Sequence, residues 1–210
     1  MERIICLAVG YMCGLIQSGY LYGKSQKIDI RNYGSGNSGS TNVLRVLGKK
    51  AGAIVFFGDF LKCLIPCIAV RVIFNHQPDI MYLLMMYTGL GVILGHNYPF
   101  YLNFKGGKGI AATAGLIVAM DLKLTAAELT VFLLLVIITR YVSLGSIAVA
   151  VLFFLWMVIL GGGLYGVGSG YLIEFYVVAA IICIQALWRH RANIKRLLSG
   201  TESKLGSAKK

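Results

Sequence analysis

The chain has 210 residues, of which 58% are hydrophobic and only 13% charged, and its formal net charge is +12. A soluble domain is about a quarter charged, whereas this chain runs for long stretches without any charge, so a soluble fold is excluded and a single membrane-embedded bundle is expected. A basic excess suits nucleic acid, anionic lipid or small anionic substrates, but in a membrane chain the first account of it is topology, because inner loops collect Lys and Arg.

A first apolar stretch, 4–22, has the length of a span. Arg3 is the only basic residue before it, no small-residue cleavage site follows, and Lys24, Lys27 and Arg31 come after it. That order predicts an uncleaved span with the N-terminus outside. Next comes Gly34 through Asn42, a run of Gly, Ser, Thr and Asn, with Arg45 just beyond. Glycines free the backbone to turn, hydroxyl and amide side chains add donors, and a helix starting near Thr41 would aim its amides at the loop, which is a phosphate-binding arrangement. A flexible loop with a helix cap would read the same way.

The second span, 51–73, carries Asp59 and Lys62 two to three turns inside it. Ionisable groups at that depth are costly and usually functional; at i, i+3 the two can also neutralise each other as a structural ion pair, which is the reading favoured here. A third span, 81–98, ends on Gly95-His96-Asn97-Tyr98-Pro99, followed by Phe104-Lys105-Gly106-Gly107-Lys108-Gly109 at the mouth of a short fourth apolar segment, 109–120. Gly-Gly-Lys-Gly opening a helix suits an anion, but Gly109 stands where a Walker A loop needs Ser or Thr, so nucleotide hydrolysis is not indicated. Taken singly, Lys105 and Lys108 are equally topology markers, and His96 an interfacial histidine.

Three further spans follow at 124–140, 144–163 and 171–188, the first of them carrying Glu128 near its outer end. Arg140-Tyr141-Val142-Ser143 forms a weak polar cluster between two of them. The last span runs into Arg189-His190-Arg191-Ala192-Asn193-Ile194-Lys195-Arg196, which reads as an orientation signal or anionic-lipid contact, with His190 and Asn193 on one face of a continued helix. The five cysteines, Cys6, Cys13, Cys63, Cys67 and Cys183, all lie in apolar stretches and read as small hydrophobes.

The expected fold is therefore an all-α membrane protein, a seven-transmembrane-helix bundle with its N-terminus outside and C-terminus cytoplasmic. Residues 1–202 form one domain and 203–210 a disordered polar tail. With that topology, sixteen of the twenty basic residues fall on the cytoplasmic side, as the positive-inside rule requires. The segments rich in Gly, Ser, Asn, Lys and His (34–45, 95–109, 140–146 and 189–202) fall there too. Four donor-rich clusters on one membrane face, with only Asp29 and Glu202 as carboxylates, describe a site for anions with no metal. An organic-phosphate transporter would instead show related halves and polar groups at the midplane. A lipid-binding scaffold would leave the glycine-rich loops unexplained.

Together the motifs Ser35 to Asn42, Gly95 to Gly109, Arg140 to Leu144 and His190 to Glu202 resemble the bacterial membrane glycerol-3-phosphate acyltransferases that use acyl phosphate, the PlsY family. The resemblance covers the chain from the first span to about Glu202; Ser40 stands where alanine or another small residue is common. None of His76, His96 and His190 has Asp at the fifth following position, so the His-x-x-x-x-Asp motif of the other acyltransferase family is lacking. What the resemblance implies is transfer of a fatty acyl group from acyl phosphate to the 1-hydroxyl of glycerol 3-phosphate, releasing lysophosphatidic acid and inorganic phosphate. Neither acyl-CoA nor acyl-carrier protein takes part. It implies a cofactor-free monomer of the bacterial plasma membrane, with membrane lipid around it and no nucleic acid partner. On the same basis the loop Ser35, Gly36, Asn37, Ser38, Gly39, Ser40 and Thr41, continued by Asn42, holds acyl phosphate. Arg45, Lys105, Ser143 and Asn193 contact glycerol 3-phosphate, and His96, Gly106, Gly107, Lys108 and His190 lie in or near the site. The catalytic set is Ser35, Lys105, Ser143 and His190. Because a mixed anhydride is already activated, direct attack by the glycerol hydroxyl suffices, with a phosphate oxygen as the candidate base; Ser35 or Ser143 as a covalent nucleophile is the alternative.

Overall fold

The computed structural model describes residues 1–206. Among them there is no strand, and six helical segments are long and apolar enough to cross a membrane. The first is broken, into α1 (Glu2–Gly14) and α2 (Ser18–Ser25). A short helix, α3 (Ser40–Leu47), precedes the long α4 (Lys49–Ile73) and α5 (Pro78–Asn97). The fourth expected span is α6 (Ile110–Met120), of eleven residues. At about 1.5 Å per residue it covers only about half of the roughly 30 Å hydrocarbon layer. Then come α7 (Leu122–Thr139) and α8 (Val142–Trp156), the latter continuing through a π-helical stretch, Met157–Gly161, into a single turn, α9 (Gly162–Leu164). The last long helix, α10 (Leu172–Arg189), stops at His190, and α11 (Arg191–Leu198) starts afresh. The expected continuous helix through His190 and Asn193 is thus two helices, with His190 as the joint.

At the centre of the bundle is α5, whose Leu83, Leu84, Met85, Met86 and Val92 are fully buried. It packs most extensively against α1, and glycines set the approach: Gly10 and Gly14 on α1 face Gly91 and Gly95 on α5 so closely that a Cβ on any of them would strike the other helix's backbone. This is the small-xxx-small crossing of membrane helices, doubled. Large apolar side chains on the outer helices, such as Ile65 and Val72 on α4 or Ile137 and Ile138 on α7, are exposed, which in a bilayer is the lipid-facing surface.

The interruption at Leu15–Gln17 was not foreseen from the unbroken apolar run. It persists because side chains satisfy the carbonyls it frees. Gln17, itself fully buried, donates to the carbonyls of Gly14, Gly95 and His96, Lys62 donates to that of Ile16, and the Tyr101 hydroxyl to that of Leu15. At the other end of the bundle Arg3 grips Glu174 with two bonds, 2.5 and 2.9 Å, and the Tyr87 hydroxyl joins the same carboxylate, tying α1, α5 and α10 together. Glu128 lies buried on α7, and neither of its oxygens has a partner among the described residues. Of the expected polar tail, Ser203 to Gly206 lie against the body: Arg45 reaches the Ser203 carbonyl, and Arg140 and Leu205 exchange hydrogen bonds. Residues 207–210 lie outside the described residues.

Candidate active site

Each of the four donor-rich clusters is the start of a helix, and the four starts face one another. α3 opens at Ser40 and Thr41, α6 at Ile110 and Ala111, α8 at Val142 and Ser143, and α11 at His190 with Asn193 in its first turn. All eight residues line one cavity of about 140 Å³. The first amides of a helix have no partner within it and carry the positive end of its dipole. Three such ends, of α3, α6 and α8, around one cavity, with the His190 and Asn193 side chains added by α11, whose start bonds back onto the end of α10, make an anion site with few formal charges. Arg45 and Lys108 supply the fixed cations on its wall; Asp59 and Glu202 supply the carboxylates.

The Ser35–Asn42 loop is shaped by its own side chains. Asn42 accepts from the Ser35 amide at 2.8 Å and donates to the carbonyls of Ile30, Tyr33 and Asn37; Asn37 accepts from the Gly39 amide. Gly34 and Gly36 take the positive φ this winding needs, 60° and 72°. Among the described residues the amides of Ser40 and Thr41 donate to no protein group, and the buried Ser38 hydroxyl has no partner. Ser35, Asn37, Gly39, Ser40, Thr41, Asn42 and Arg45 line the cavity, whereas Gly36 and Ser38 do not.

The second cluster dips back into the bundle along the end of α5. The Gly106 amide donates to the Asn97 carbonyl at 3.2 Å, the Gly107 amide to that of His96 at 3.1 Å, and Arg189 clamps the carbonyls of both glycines. Their amides are therefore engaged, and neither residue lines the cavity. Both must be glycine because a Cβ would strike the His96 carbonyl in one case and the His96 ring in the other. Gly109, at φ 83°, turns the chain into α6. His96 and Lys108 line the cavity; Lys105 is exposed and does not.

The third and fourth clusters meet through Glu202, which the sequence reading did not assign to the site. Its side chain is nearly sealed from solvent, and it accepts from Ser143 at 3.0 Å, from Asn193 at 2.8 Å and from Arg196 at 2.7 Å. Burial by itself would raise the pKa of Glu202, but those three bonds more than offset it and hold the group below the usual carboxylate range. Asn193 in turn accepts from the Lys108 ammonium. Burial pushes Lys108 down to about 8, with the Glu202 charge opposing. His190 is buried and pushed down to about 4, first by desolvation and then by Lys108. It is therefore neutral near pH 7. Its Nδ1 lies 2.8 Å from the Ala186 carbonyl, which only accepts, so Nδ1 carries the proton and Nε2 is left as an acceptor. Among the described residues no three His, Cys, Asp or Glu side chains gather as a metal site.

The sequence of the chain matches the family model for glycerol-3-phosphate acyltransferase over residues 4–200. It is 42% identical over 212 residues to a glycerol-3-phosphate acyltransferase of Clostridioides difficile, covering 98% of this chain and 97% of that one. A relative of the same description from Thermoanaerobacter pseudethanolicus is 40% identical over 207 residues, with the same coverage. The chain belongs to the PlsY family of glycerol-3-phosphate acyltransferases. It is an integral membrane acyltransferase, and its fold agrees. It superposes on the crystal structure of PlsY (YgiH) in the glycerol 3-phosphate form with a TM-score of 0.84, at 37% identity over 98% of this chain and 96% of the other. Against the lysophosphatidic acid form of that protein the TM-score is 0.81 at 36% identity, with the same coverage.

Besides Glu202, sequence reasoning passed over Gln17 and Arg189 as parts of the site's support. Gln17 left a faint signal, a lone amide side chain in an apolar run. Glu202 left another, as one of two carboxylates on a face otherwise rich in donors.

Proposed function

We propose that the enzyme takes its acyl group from acyl phosphate and transfers it to the 1-hydroxyl of glycerol 3-phosphate, the first step of phospholipid synthesis. It works as a monomer at the inner face of the bacterial plasma membrane. Glycerol 3-phosphate and lysophosphatidic acid are what the solved relatives carry. The observation that carries the reading is the ring of four helix starts with Arg45 and Lys108: it offers donors for more than one phosphate. Beside those donors the cavity wall is apolar, with Phe56 from α4 and Phe132 from α7, a surface for the acyl chain on the lipid side.

In this account the loop from Ser35 to Thr41 holds the acyl phosphate, and Arg45, Ser143 and Asn193 take the phosphate of glycerol 3-phosphate. Lys105, exposed on the rim, draws that substrate in by charge. The 1-hydroxyl oxygen attacks the carbonyl carbon, the bond from that carbon to the phosphate oxygen breaks, and the hydroxyl proton ends on the departing phosphate. A histidine with a pKa of about 4 does not hold a second proton near neutrality, so His190 orients the hydroxyl through Nε2 and the phosphate acts as the base. No acyl-enzyme forms; trapping an acyl group on Ser35 or Ser143 would overturn this step. For topology, we propose an N-terminus outside, a cytoplasmic C-terminus and seven crossings, of which the short α6 is the fourth.

The test is incubation of purified protein with labelled glycerol 3-phosphate and either palmitoyl phosphate or palmitoyl-CoA. Labelled lysophosphatidic acid and one equivalent of inorganic phosphate from the first donor alone is the expected result. Product from palmitoyl-CoA at a similar rate would refute the donor assignment.

A further inference from the structure

Three residues from α4 and α5 form a buried polar cluster that no step above uses. The Lys62 ammonium lies 2.6 Å from the Ile16 carbonyl, 2.8 Å from Asp59 Oδ1 and 2.8 Å from His96 Nδ1. Asp59 is 1% and His96 4% exposed. An ammonium has three protons and no acceptor capacity. The Ile16 carbonyl and the Asp59 carboxylate only accept, so two protons go to them and the third goes to His96. The direct contact between His96 Nδ1 and Asp59 is longer, 3.5 Å. His96 Nδ1 is thereby made an acceptor, and its ring proton is forced onto Nε2. That nitrogen bonds to no protein group, is not sealed off, and lies on the ring edge above Gly107 in a residue that lines the cavity.

We propose that Asp59 and Lys62 are positioning residues for the acyl transfer. Anchored by the broken first span, they lock His96 as an Nε2–H donor that faces a substrate phosphate. The cavity then holds two neutral imidazoles of opposite sense. His96 presents a proton, and His190, whose Nδ1 donates to Ala186, presents a lone pair. A donor serves an oxygen on which negative charge builds as phosphate departs; an acceptor serves the attacking hydroxyl. The role of His96 in this pair rests on the proposed reading of the cavity as a phosphate site, but the tautomer does not.

The test uses the intact protein with 15N-labelled histidine and carbonyl-13C-labelled glycine. Gly95-His96 is the sole Gly-His pair in the chain, so the coupled amide assigns His96 without any substitution. The ring shifts are expected to show an unprotonated Nδ1 and a protonated Nε2, and glycerol 3-phosphate or inorganic phosphate is expected to move the Nε2 signal. A ring protonated on Nδ1, or on both nitrogens, overturns the proposal whatever the enzyme's activity. The expected tautomer with an Nε2 deaf to both anions removes His96 from the phosphate site and leaves the acyltransferase reading standing.

Kinetics supply a second arm. Replacing the pair by the neutral Asp59→Asn, Lys62→Met should lower kcat by up to about 100-fold per folded molecule, as misplacement of an oriented group does. His96→Gln keeps a donor near the Nε2 position that does not depend on Lys62. In that background the same pair replacement should cost little further in kcat. An equal loss in both backgrounds would mean that the pair only supports the fold, and would overturn the proposal.

Discussion

Lys108 sits where its charge is useful and expensive, in a wall from which water is largely removed. Burial takes its pKa down to about 8, so the ammonium is held below that pH and lost above it. KM for glycerol 3-phosphate is therefore expected to rise as pH passes through about 8, and Lys108→Gln, with a higher KM throughout, should flatten that limb. A measured KM that stays level up to about pH 10 would contradict this. His190 behaves in the opposite sense: already neutral above about pH 4, it should contribute no limb to the rate profile between about pH 5 and 8. Glu202 supports stability more than rate. Its depressed pKa means that its contribution is present above the unfolded value of about 4.3 and fades as pH falls. Glu202→Ala leaves Ser143 and Asn193 without their acceptor. Arg196 is partly exposed, so screening discounts its share, and a loss of about 1–3 kcal/mol is expected, read as a lower melting temperature in detergent.

At the scale of elements, the crossing of α1 and α5 depends on four glycines, because each lies against main-chain atoms that cannot move aside. Gly91→Val should overpack it and cost about 1–3 kcal/mol, lowering the melting temperature and the yield of folded protein. A variant as stable as the parent would show that the helices can part without penalty. Gln17→Leu has the same hydrophobic logic as the rest of its span yet should destabilise, since it orphans the carbonyls of Gly14 and Gly95 and leaves that of His96 with the Gly107 amide alone. Elements of this kind mark the boundary of what sequence conveys. The long spans were legible to within about three residues, because twenty apolar residues in a row allow little else in a bilayer. The break at Leu15–Gln17 was hidden by the same rule, since its carbonyls are satisfied by residues 46 to 86 positions away. The stop at His190 was hidden by a stretch that reads well as one helix.

For the whole molecule, the convergence of four clusters was legible because charge bias fixes which loops share a face. What the sequence could not supply was their internal division of labour. Gly106 and Gly107 look like phosphate-binding amides in the sequence and prove to be spacers, the first against the His96 carbonyl and the second against the His96 ring. Lys105 and Lys108, three residues apart, differ in that only Lys108 reaches the cavity wall. Asp59 and Lys62 read as a self-neutralising pair; they are one, but they also carry His96. Such distinctions depend on contacts across the bundle, which no local pattern encodes.

The proposed site requires all four clusters to open to one side of the membrane. Single cysteines placed at Ser35, Lys105, Arg140 and Ser199, each exposed at its own segment, can be labelled with a membrane-impermeant thiol reagent in spheroplasts and in inverted vesicles. All four are expected to label in inverted vesicles and to resist labelling in spheroplasts. Any one of them labelled only from the outside would separate its cluster from the others and leave the proposed site without a wall.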